Sequence, residues 1–250
     1  PQRLLCDVRD SEKTDFYGHE FFEASSIRKI KNTYYFVYSS VHSHELCYAV
    51  SKKPDRDFRF GGTLVDIGDV FKNGRTEEEA VNCLGNTHGG IECIDGQWYV
   101  FYHRHTNGTQ YSRQGCAEKI FIKEDGEIDQ AEVTSCGLND GPLDGRGWYP
   151  AYICCHLTGK NGAAFSNPLT MKEAFPYLTQ DISGQYIANI TKGTIIGYKY
   201  FSFDAKNNKR IAIRIKLFLR KNPKCQMEEI KGLFYVGKNP RGTDDGIITV

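Results

Sequence analysis

The feature that most constrains the fold of this chain is a repeated hairpin pattern. The segment Ile27–Tyr38 aligns with Ile91–Tyr102, 64 residues later. Each copy reads as a strand, a tight turn and a second, aromatic strand, with the turns at Lys31-Asn32 and Asp95-Gly96. An Asp-Gly pair between apolar runs is a strong hairpin signal. The repeat therefore predicts sheets of short antiparallel strands, arranged like propeller blades.

Each copy of the repeat continues into further strand-like segments. Glu45–Val50 and Phe58–Val65 follow the first copy, and Gly115–Lys123 follows the second. Helical patterns are few, with candidates at Thr76–Val81 and Leu169–Tyr177. We therefore predict an all-β fold with long loops, and long loops on a rigid sheet are where functional residues usually lie.

A change of pattern near Thr179–Gln185 predicts a domain boundary. Beyond it, Tyr186–Ile190, Thr194–Phe203 and Lys209–Leu219 read as strands separated by Asn- and Gly-rich turns. This spacing is typical of the beginning of a β-sandwich. The prediction is a propeller-type domain at residues 1–180 and an incomplete, carbohydrate-binding-like β-sandwich at residues 181–250.

Composition excludes some classes of partner. The net charge is +1, so nothing in it favours nucleic acid or an anionic membrane surface. No apolar run approaches the roughly 20 residues that a membrane helix needs. The chain has 15 Tyr, 15 Phe and 2 Trp, residues that favour strands and also offer flat faces on which sugar rings stack.

The nine cysteines show neither a CxxC pair nor a zinc spacing. Several lie in apolar strand-like runs, and the vicinal pair Cys154-Cys155 is expected to be two buried thiols. This usage indicates a reducing setting, so we expect a cytoplasmic protein, with secretion as the alternative. The start at Pro1, without an initiator Met or an apolar signal region, indicates a processed chain or a fragment.

Glu23 is the leading candidate for a catalytic residue. It follows Phe21-Phe22 and precedes a strand-like run. An apolar, aromatic setting disfavours the charged form of a carboxyl group and raises its pKa. A carboxyl group that stays protonated near neutral pH suits a general acid. The alternative is a strand-edge carboxylate paired with Arg28 or Lys29.

Two histidine pairs, in His42-Ser43-His44 and His103-Arg104-His105, are candidates for a second functional element. Alternation places both members of each pair on one strand face. A metal site is one interpretation, but neither pair has a recognised zinc spacing. For both pairs we favour polar residues of a substrate pocket, or structural polar residues, over metal ligands, and we take His42 and His103 as the candidates for contact with substrate. The acidic run Glu77–Glu79 is expected to be a solvated face.

Several segments resemble glycoside hydrolase family 43. Glu23–Ile30, followed by the aromatic strand, resembles the family's general-acid strand. Gly85–Ile91 and Tyr111–Glu118 are similar to later segments of the family and occur in its order, so the resemblance covers roughly residues 16–125. It implies a five-bladed propeller with the active site at its axis. It also implies inverting cleavage of arabinofuranosyl, xylosyl or galactofuranosyl linkages in plant-type polysaccharides, with an oligosaccharide or polysaccharide as partner.

The resemblance implies roles for individual residues. Glu23 matches the general acid, and Phe22 beside it is expected to contact the sugar. Arg113 matches an arginine that hydrogen-bonds the innermost sugar, with an ion pair to Glu118 as the alternative. His88 matches a histidine of the central channel that lies near a bound calcium. Because calcium prefers oxygen ligands, His88 is expected near the ion rather than as its ligand.

The sequence departs from the family pattern at the catalytic base. The general acid belongs to the family's third blade, so two blades, with the base and a second aspartate, would precede residue 1. Asp7, Asp10 and Asp15 lie too close to Glu23 in the chain to replace them. We therefore expect about three blades here, and a non-catalytic carbohydrate-binding chain is the alternative to an enzyme. Uncovered sheet edges would favour self-association or a partner chain that completes the propeller.

Overall fold

The computed structural model describes residues 8–163, 175–182, 184–203, 233–238 and 244–249. Regular structure in these ranges is almost all β-strand, which confirms the predicted all-β class. The described helices are short 3-10 turns at Val8–Lys13, Lys72–Gly74, Glu77–Glu79 and Ala151–Ile153. None of the described helices has the length and apolar character needed to cross a membrane. Most of the helix candidate at 169–177 lies outside the described residues.

The first sheet is antiparallel and contains four strands in chain order. They are β1 (Phe21–Ile30), β2 (Thr33–Ser40), β3 (Glu45–Ser51) and β4 (Arg59–Asp66). The predicted first hairpin is formed by β1 and β2, with Lys31 in the left-handed region of backbone space at φ 52°. The two strand predictions that follow this hairpin are also confirmed.

The second sheet reproduces the repeat. It contains β5 (Gly90–Ile94), β6 (Gln97–His105) and β7 (Arg113–Ile120) in that order. Asp95 and Gly96 both have positive φ, at 49° and 85°, which is the turn geometry that matches the twist of a hairpin. The repeat-equivalent residues Arg28 and Glu92 join the two sheets through an ion pair of 3.2 Å.

The main core lies between these two sheets, and alternation along β2 explains its membership. Tyr35 and Val37 face the core that both sheets share, whereas Phe36 and Tyr38 face the opposite side. Phe16, from the segment before β1, packs into the cluster on that opposite side. Side chains on both faces of β2 are therefore buried. The shared core also contains Leu46, Tyr48, Leu64, Ile91, Val100 and Tyr102.

The remaining strands form three sheets, in which some strands pair with a neighbour in the chain and others with a distant segment. Two of these sheets have two strands each: β8 (Leu143–Asp144) with β13 (Phe201–Ser202), and β10 (Tyr177–Asp181) with β11 (Gly184–Ala188). The third large sheet has the order β14-β15-β12-β9. Its strands are β9 (His156–Thr158), β12 (Ile195–Tyr198), β14 (Leu233–Lys238) and β15 (Asp244–Thr249).

The third large sheet agrees with the expected three blades, but it also contains strands from both sides of residue 180. Gly197 of β12 pairs with His156 of β9, so backbone hydrogen bonds cross the proposed boundary. The division into residues 1–180 and 181–250 stays a prediction. The strand predicted at 209–219 lies outside the described residues.

Candidate functional site

The position of Glu23 is set by a β-bulge in β1. The pairing of β1 with β2 shifts register on both sides of Glu23, and Ala24 has a φ of 52°. Bulges of this kind redirect a side chain away from regular alternation. Glu23 Oε1 consequently lies 2.9 Å from His88 Nε2. The side chain of Glu23 is 40% exposed, so it is accessible to a ligand.

His88 lies on a tight loop that leads into β5. A Cβ atom on the next residue, Gly89, would lie 1.8 Å from the carbonyl oxygen of Phe101, so this close backbone approach requires glycine. Thr87 holds the loop on two sides. Its backbone N–H donates to Ser43 O at 2.9 Å, and its hydroxyl donates to His103 O at 2.8 Å. These contacts fix the position of the His88 ring opposite Glu23.

His103, on β6, continues the cluster. Its Nε2 accepts the backbone N–H of His88 at 3.1 Å, so the proton of the neutral ring is on Nδ1. Burial, together with the charges of Arg113 and His88, lowers the pKa of His103 to about 4. His103 is therefore neutral at neutral pH. Its Nδ1 is buried and is one of two such side-chain atoms in the described chain without a hydrogen-bond partner.

Arg113 begins β7 and lies opposite His105 in the sheet. Its Nη2 donates to Asn86 Oδ1 at 3.0 Å, and His105 Nε2 contacts the same oxygen. Burial and the charge of Arg113 lower the pKa of His105 to about 4. Arg113 is exposed, so part of its guanidinium group is free to face a ligand.

The structure brings together four of the residues singled out from the sequence, namely Glu23, His88, His103 and Arg113. Asn86 and His105 complete what we call the axial cluster. Sequence reasoning gave Asn86 no role of its own and named His105 only as a member of a histidine pair. For Asn86 the available signal was its place in the Gly85–Ile91 motif, two residues before His88.

Arg28, one of the two alternative partners considered for Glu23, and Glu118, the alternative partner considered for Arg113, both have other partners. Arg28 pairs with Glu92, as described above. Glu118 is buried and accepts hydrogen bonds from Tyr102 and Thr134. The interpretation of Arg113 as an ion-pair partner of Glu118 is therefore wrong.

The aromatic surroundings predicted for Glu23 stay a prediction. Phe21 packs against Phe36 and Tyr38, with ring centroids 6.1 and 5.9 Å away. Phe22 is 56% exposed, and its contact with a sugar stays a prediction. The hydrogen-bond partner of Glu23 is an imidazole, which sequence alternation did not reveal because the bulge interrupts it.

His42 lies outside the axial cluster, and its predicted contact with substrate stays a prediction. Its Nδ1 is 3.6 Å from Glu77 Oε1, and its ring packs against Phe71. Glu77 also contacts His44 Nε2 at 3.1 Å. The expectation that the Glu77–Glu79 run is only a solvated face is therefore wrong for Glu77.

The residues around His88 do not by themselves fit a calcium ion. Calcium takes six to eight oxygen ligands, whereas the axial cluster offers the carboxylate of Glu23, the amide oxygen of Asn86 and several imidazoles. Calcium near His88 stays a prediction. Asp15 is not part of the cluster, because its Oδ2 accepts the backbone N–H of Phe60 at 3.1 Å.

Comparisons with known proteins agree with these motifs. No protein-family model matches the chain. A curated protein of Thermoclostridium stercorarium, called a xylosidase/arabinosidase, is 49% identical over 219 residues, which are 84% of this chain and 46% of that protein. The chain belongs to glycoside hydrolase family 43. It spans about half the length of this relative.

Several solved structures with similarity to the chain are described as family 43 enzymes. A Xanthomonas citri enzyme in complex with xylose is 27% identical, covering 46% of this chain and 31% of its own, with a TM-score of 0.37. A β-xylosidase/α-arabinofuranosidase from a compost metagenome, in complex with xylotriose and described as calcium-free, is 26% identical. That match covers 44% of this chain and 30% of the solved one, with a TM-score of 0.35. Superpositions of this extent do not by themselves define a fold.

Proposed function

We propose that this chain carries the general acid of an inverting glycosidase that acts on xylosyl, arabinofuranosyl or galactofuranosyl linkages in plant-type polysaccharides. The observation that carries the proposal is the 2.9 Å contact between Glu23 and His88 within the axial cluster. The family motifs and the name of the Thermoclostridium stercorarium relative support it.

Glu23 is proposed to act on the leaving group. Its carboxyl proton moves to the glycosidic oxygen as the bond from that oxygen to the anomeric carbon breaks. A water molecule attacks the anomeric carbon from the opposite face and gives its proton to a second carboxylate, as inversion requires. Glu23 is the one carboxylate in the axial cluster, so the base is proposed to come from outside this cluster.

Arg113 and His103 are proposed to bind the sugar. Asn86 holds one edge of the Arg113 guanidinium group, and the planar group is suited to adjacent hydroxyl oxygens. His103 contributes the buried Nδ1–H that lacks a protein partner. A sugar oxygen in contact with this donor would remove the cost of leaving it unsatisfied.

The second candidate function is carbohydrate binding without turnover. The single carboxylate in the axial cluster favours it, because loss of general-base catalysis lowers the rate by about 10²–10⁴-fold. Both candidates predict saturable binding of sugars, and they differ in whether Glu23 transfers a proton.

The deciding experiment compares the wild-type chain with Glu23→Gln on aryl xylosides, arabinofuranosides and galactofuranosides of two leaving-group classes. With 4-nitrophenol, which leaves slowly without a proton, the variant should lose about 10²–10⁴-fold in rate. With 2,4-dinitrophenol, which leaves without protonation, it should lose far less. A second assay adds azide and measures the glycosyl azide that forms. Azide attacks the anomeric carbon without help from a general base, so this assay does not depend on the missing carboxylate.

Glu92→Gln is the matched control. Glu92 is an exposed carboxylate on β5, outside the axial cluster, and its substitution should leave both rates unchanged. Equal rates for wild type and Glu23→Gln on the 4-nitrophenyl substrates would show that Glu23 is not the acid. Sugar binding without turnover on any substrate would support the second candidate.

A further inference from the structure

A group of side chains that could ligate a metal ion lies at the β2–β3 turn, outside the axial cluster. It consists of His42 and His44, on either side of Ser43, and of Glu77 from a 3-10 helix. Their candidate ligand atoms all lie within 4.8 Å of one another. We propose that His42, His44 and Glu77 bind a zinc ion.

The spacing of these atoms suits zinc. Zinc bonds to imidazole nitrogen and carboxylate oxygen are about 2.0–2.2 Å long, so ligand atoms around a tetrahedral ion lie about 3.3 Å apart. Glu77 Oε1 is 3.1 Å from His44 Nε2 and 3.6 Å from His42 Nδ1. Two imidazoles with one carboxylate form a donor set that zinc favours, with the fourth position left to water.

The surroundings of His44 orient it as a ligand. Its Nδ1 lies 2.5 Å from Asp66 Oδ2, and both side chains are fully buried. The other oxygen of Asp66 accepts the backbone N–H groups of Gly68 at 2.8 Å and Val70 at 3.0 Å. With its Nδ1 held by a fixed carboxylate, His44 presents Nε2 toward Glu77. A carboxylate behind a ligating histidine is a recurrent feature of zinc sites.

Phe71 provides an apolar wall on one side of the group. Its ring centroid lies 5.1 Å from that of His42 and 6.4 Å from that of His44. The opposite side is open, because the side chains of His42 and Glu77 are 31% and 40% exposed. The two accessible ligands give the ion an entry path, and the buried ligand and the apolar wall limit solvent access from one side.

The zinc site would stabilise the His88 loop of the axial cluster. Ser43, between the two histidines, accepts the backbone N–H of Thr87 at 2.9 Å. A zinc ion linking the β2–β3 turn to Glu77 would therefore stabilise the segment against which the His88 loop rests. This stabilisation does not depend on the proposed hydrolysis.

The test uses the full chain after a chelator has removed bound metal. Zinc is titrated into the chain in an isothermal calorimeter, and thermal unfolding is then measured with and without zinc. The wild-type chain should bind one equivalent of zinc, and zinc should raise its unfolding temperature. His42→Ala and Glu77→Gln should each weaken zinc binding by at least tenfold. Glu78→Gln changes the neighbouring exposed carboxylate on the same helix and should bind zinc like the wild type.

Cobalt substitution distinguishes this site from the cysteines of the chain. A cobalt spectrum typical of tetrahedral nitrogen and oxygen ligands is expected, and it should be lost in His42→Ala. Thiolate-to-cobalt charge-transfer bands, or equal zinc affinity in the wild type, His42→Ala and Glu77→Gln, would overturn the proposal. Absence of zinc uptake would overturn it too, and would leave Asp66, His44 and Glu77 as a hydrogen-bonded network.

Discussion

At the scale of single residues, the protonation of His103 determines what the axial cluster offers to a ligand. The backbone N–H of His88 occupies Nε2, and the depressed pKa keeps the ring neutral. A neutral ring of this tautomer presents one N–H donor and no positive charge. It is therefore suited to a sugar oxygen, whereas a charged ring would add to the repulsion from Arg113.

Replacement of His103 by Gln should weaken binding of xylose or arabinose to the chain by several-fold, since one net hydrogen bond contributes about 0.5–1.5 kcal/mol. The measurement is a calorimetric titration with each sugar. His156→Gln is the matched control, because burial lowers the pKa of His156 to about 4 as well, but its ring lies on β9 beside Thr158. A loss of affinity in the control equal to that in His103→Gln would contradict the role of His103.

Residues could be proposed from the sequence where a motif contained them, but not where only the folded geometry brings them together. Glu23, His88 and Arg113 were identified from family-like segments. The partner of Glu23 was not, because a bulge at Ala24 redirects the side chain and leaves no mark in the hydrophobic pattern. Asn86 was missed because its partners, His105 and Arg113, come from strands that the sequence does not place next to it.

At the scale of elements, Glu118 ties β7 to the segment around Thr134. It accepts the backbone N–H of Thr134 at 2.8 Å and the hydroxyls of Thr134 and Tyr102 at 2.6 and 3.2 Å. Burial outweighs these hydrogen bonds and raises the pKa of Glu118 to about 7. The folded chain thus keeps this proton at pH values where the unfolded chain has released it.

Glu118 should consequently make stability depend on pH. Because its folded pKa is raised, its contribution to the free energy of unfolding is complete below about pH 4.5 and is lost as the pH rises to about 7. The loss is about 3 kcal/mol, from a shift of roughly 1.4 kcal/mol per pKa unit. Glu118→Gln does not titrate, so its stability relative to the wild type should rise by that amount between about pH 4 and pH 8.

Urea unfolding at several pH values measures this difference. Glu124→Gln is the control, since Glu124 is an exposed carboxylate on the turn after β7. The free energy of unfolding of this variant should change with pH as that of the wild type does. A difference between Glu118→Gln and the wild type that stays constant with pH would show that folding does not raise the pKa of Glu118.

Elements with local signals were the most predictable. The hairpins of the repeat could be predicted because their whole signal lies within about a dozen consecutive residues. It consists of a turn such as Asp95-Gly96 and strand-like residues on either side. The strands β11, β12 and β13 lie in segments that were recognised as strands, whereas β10 was not predicted. The partners of these strands were not predicted either. β9 with β12, and β8 with β13, pair across roughly 40 to 60 residues, and a short strand pattern carries no information about such a distant partner.

At the scale of the whole molecule, Lys199 connects parts of the chain that the predicted boundary separates. Its Nζ donates to Asp69 Oδ2 at 3.0 Å, to Glu132 Oε1 at 2.9 Å and to the carbonyl of Val133 at 3.2 Å. Asp69 is buried directly after β4, and Lys199 follows β12. Together with the β9–β12 pairing, this network indicates that the residues on either side of 180 unfold together.

Calorimetry of the chain should therefore show one cooperative transition rather than two. Lys199→Met should lower its midpoint and cost about 3–5 kcal/mol, because it leaves the Asp69 carboxylate buried without its partner. Adding Asp69→Asn to Lys199→Met should recover part of that loss, since the neutral amide needs no counter-charge. Two separate transitions, with Lys199→Met affecting only one of them, would instead establish the independent domains at 1–180 and 181–250. A single transition that the double variant partly restores would mean that the third large sheet is an integral part of the fold that holds the axial cluster.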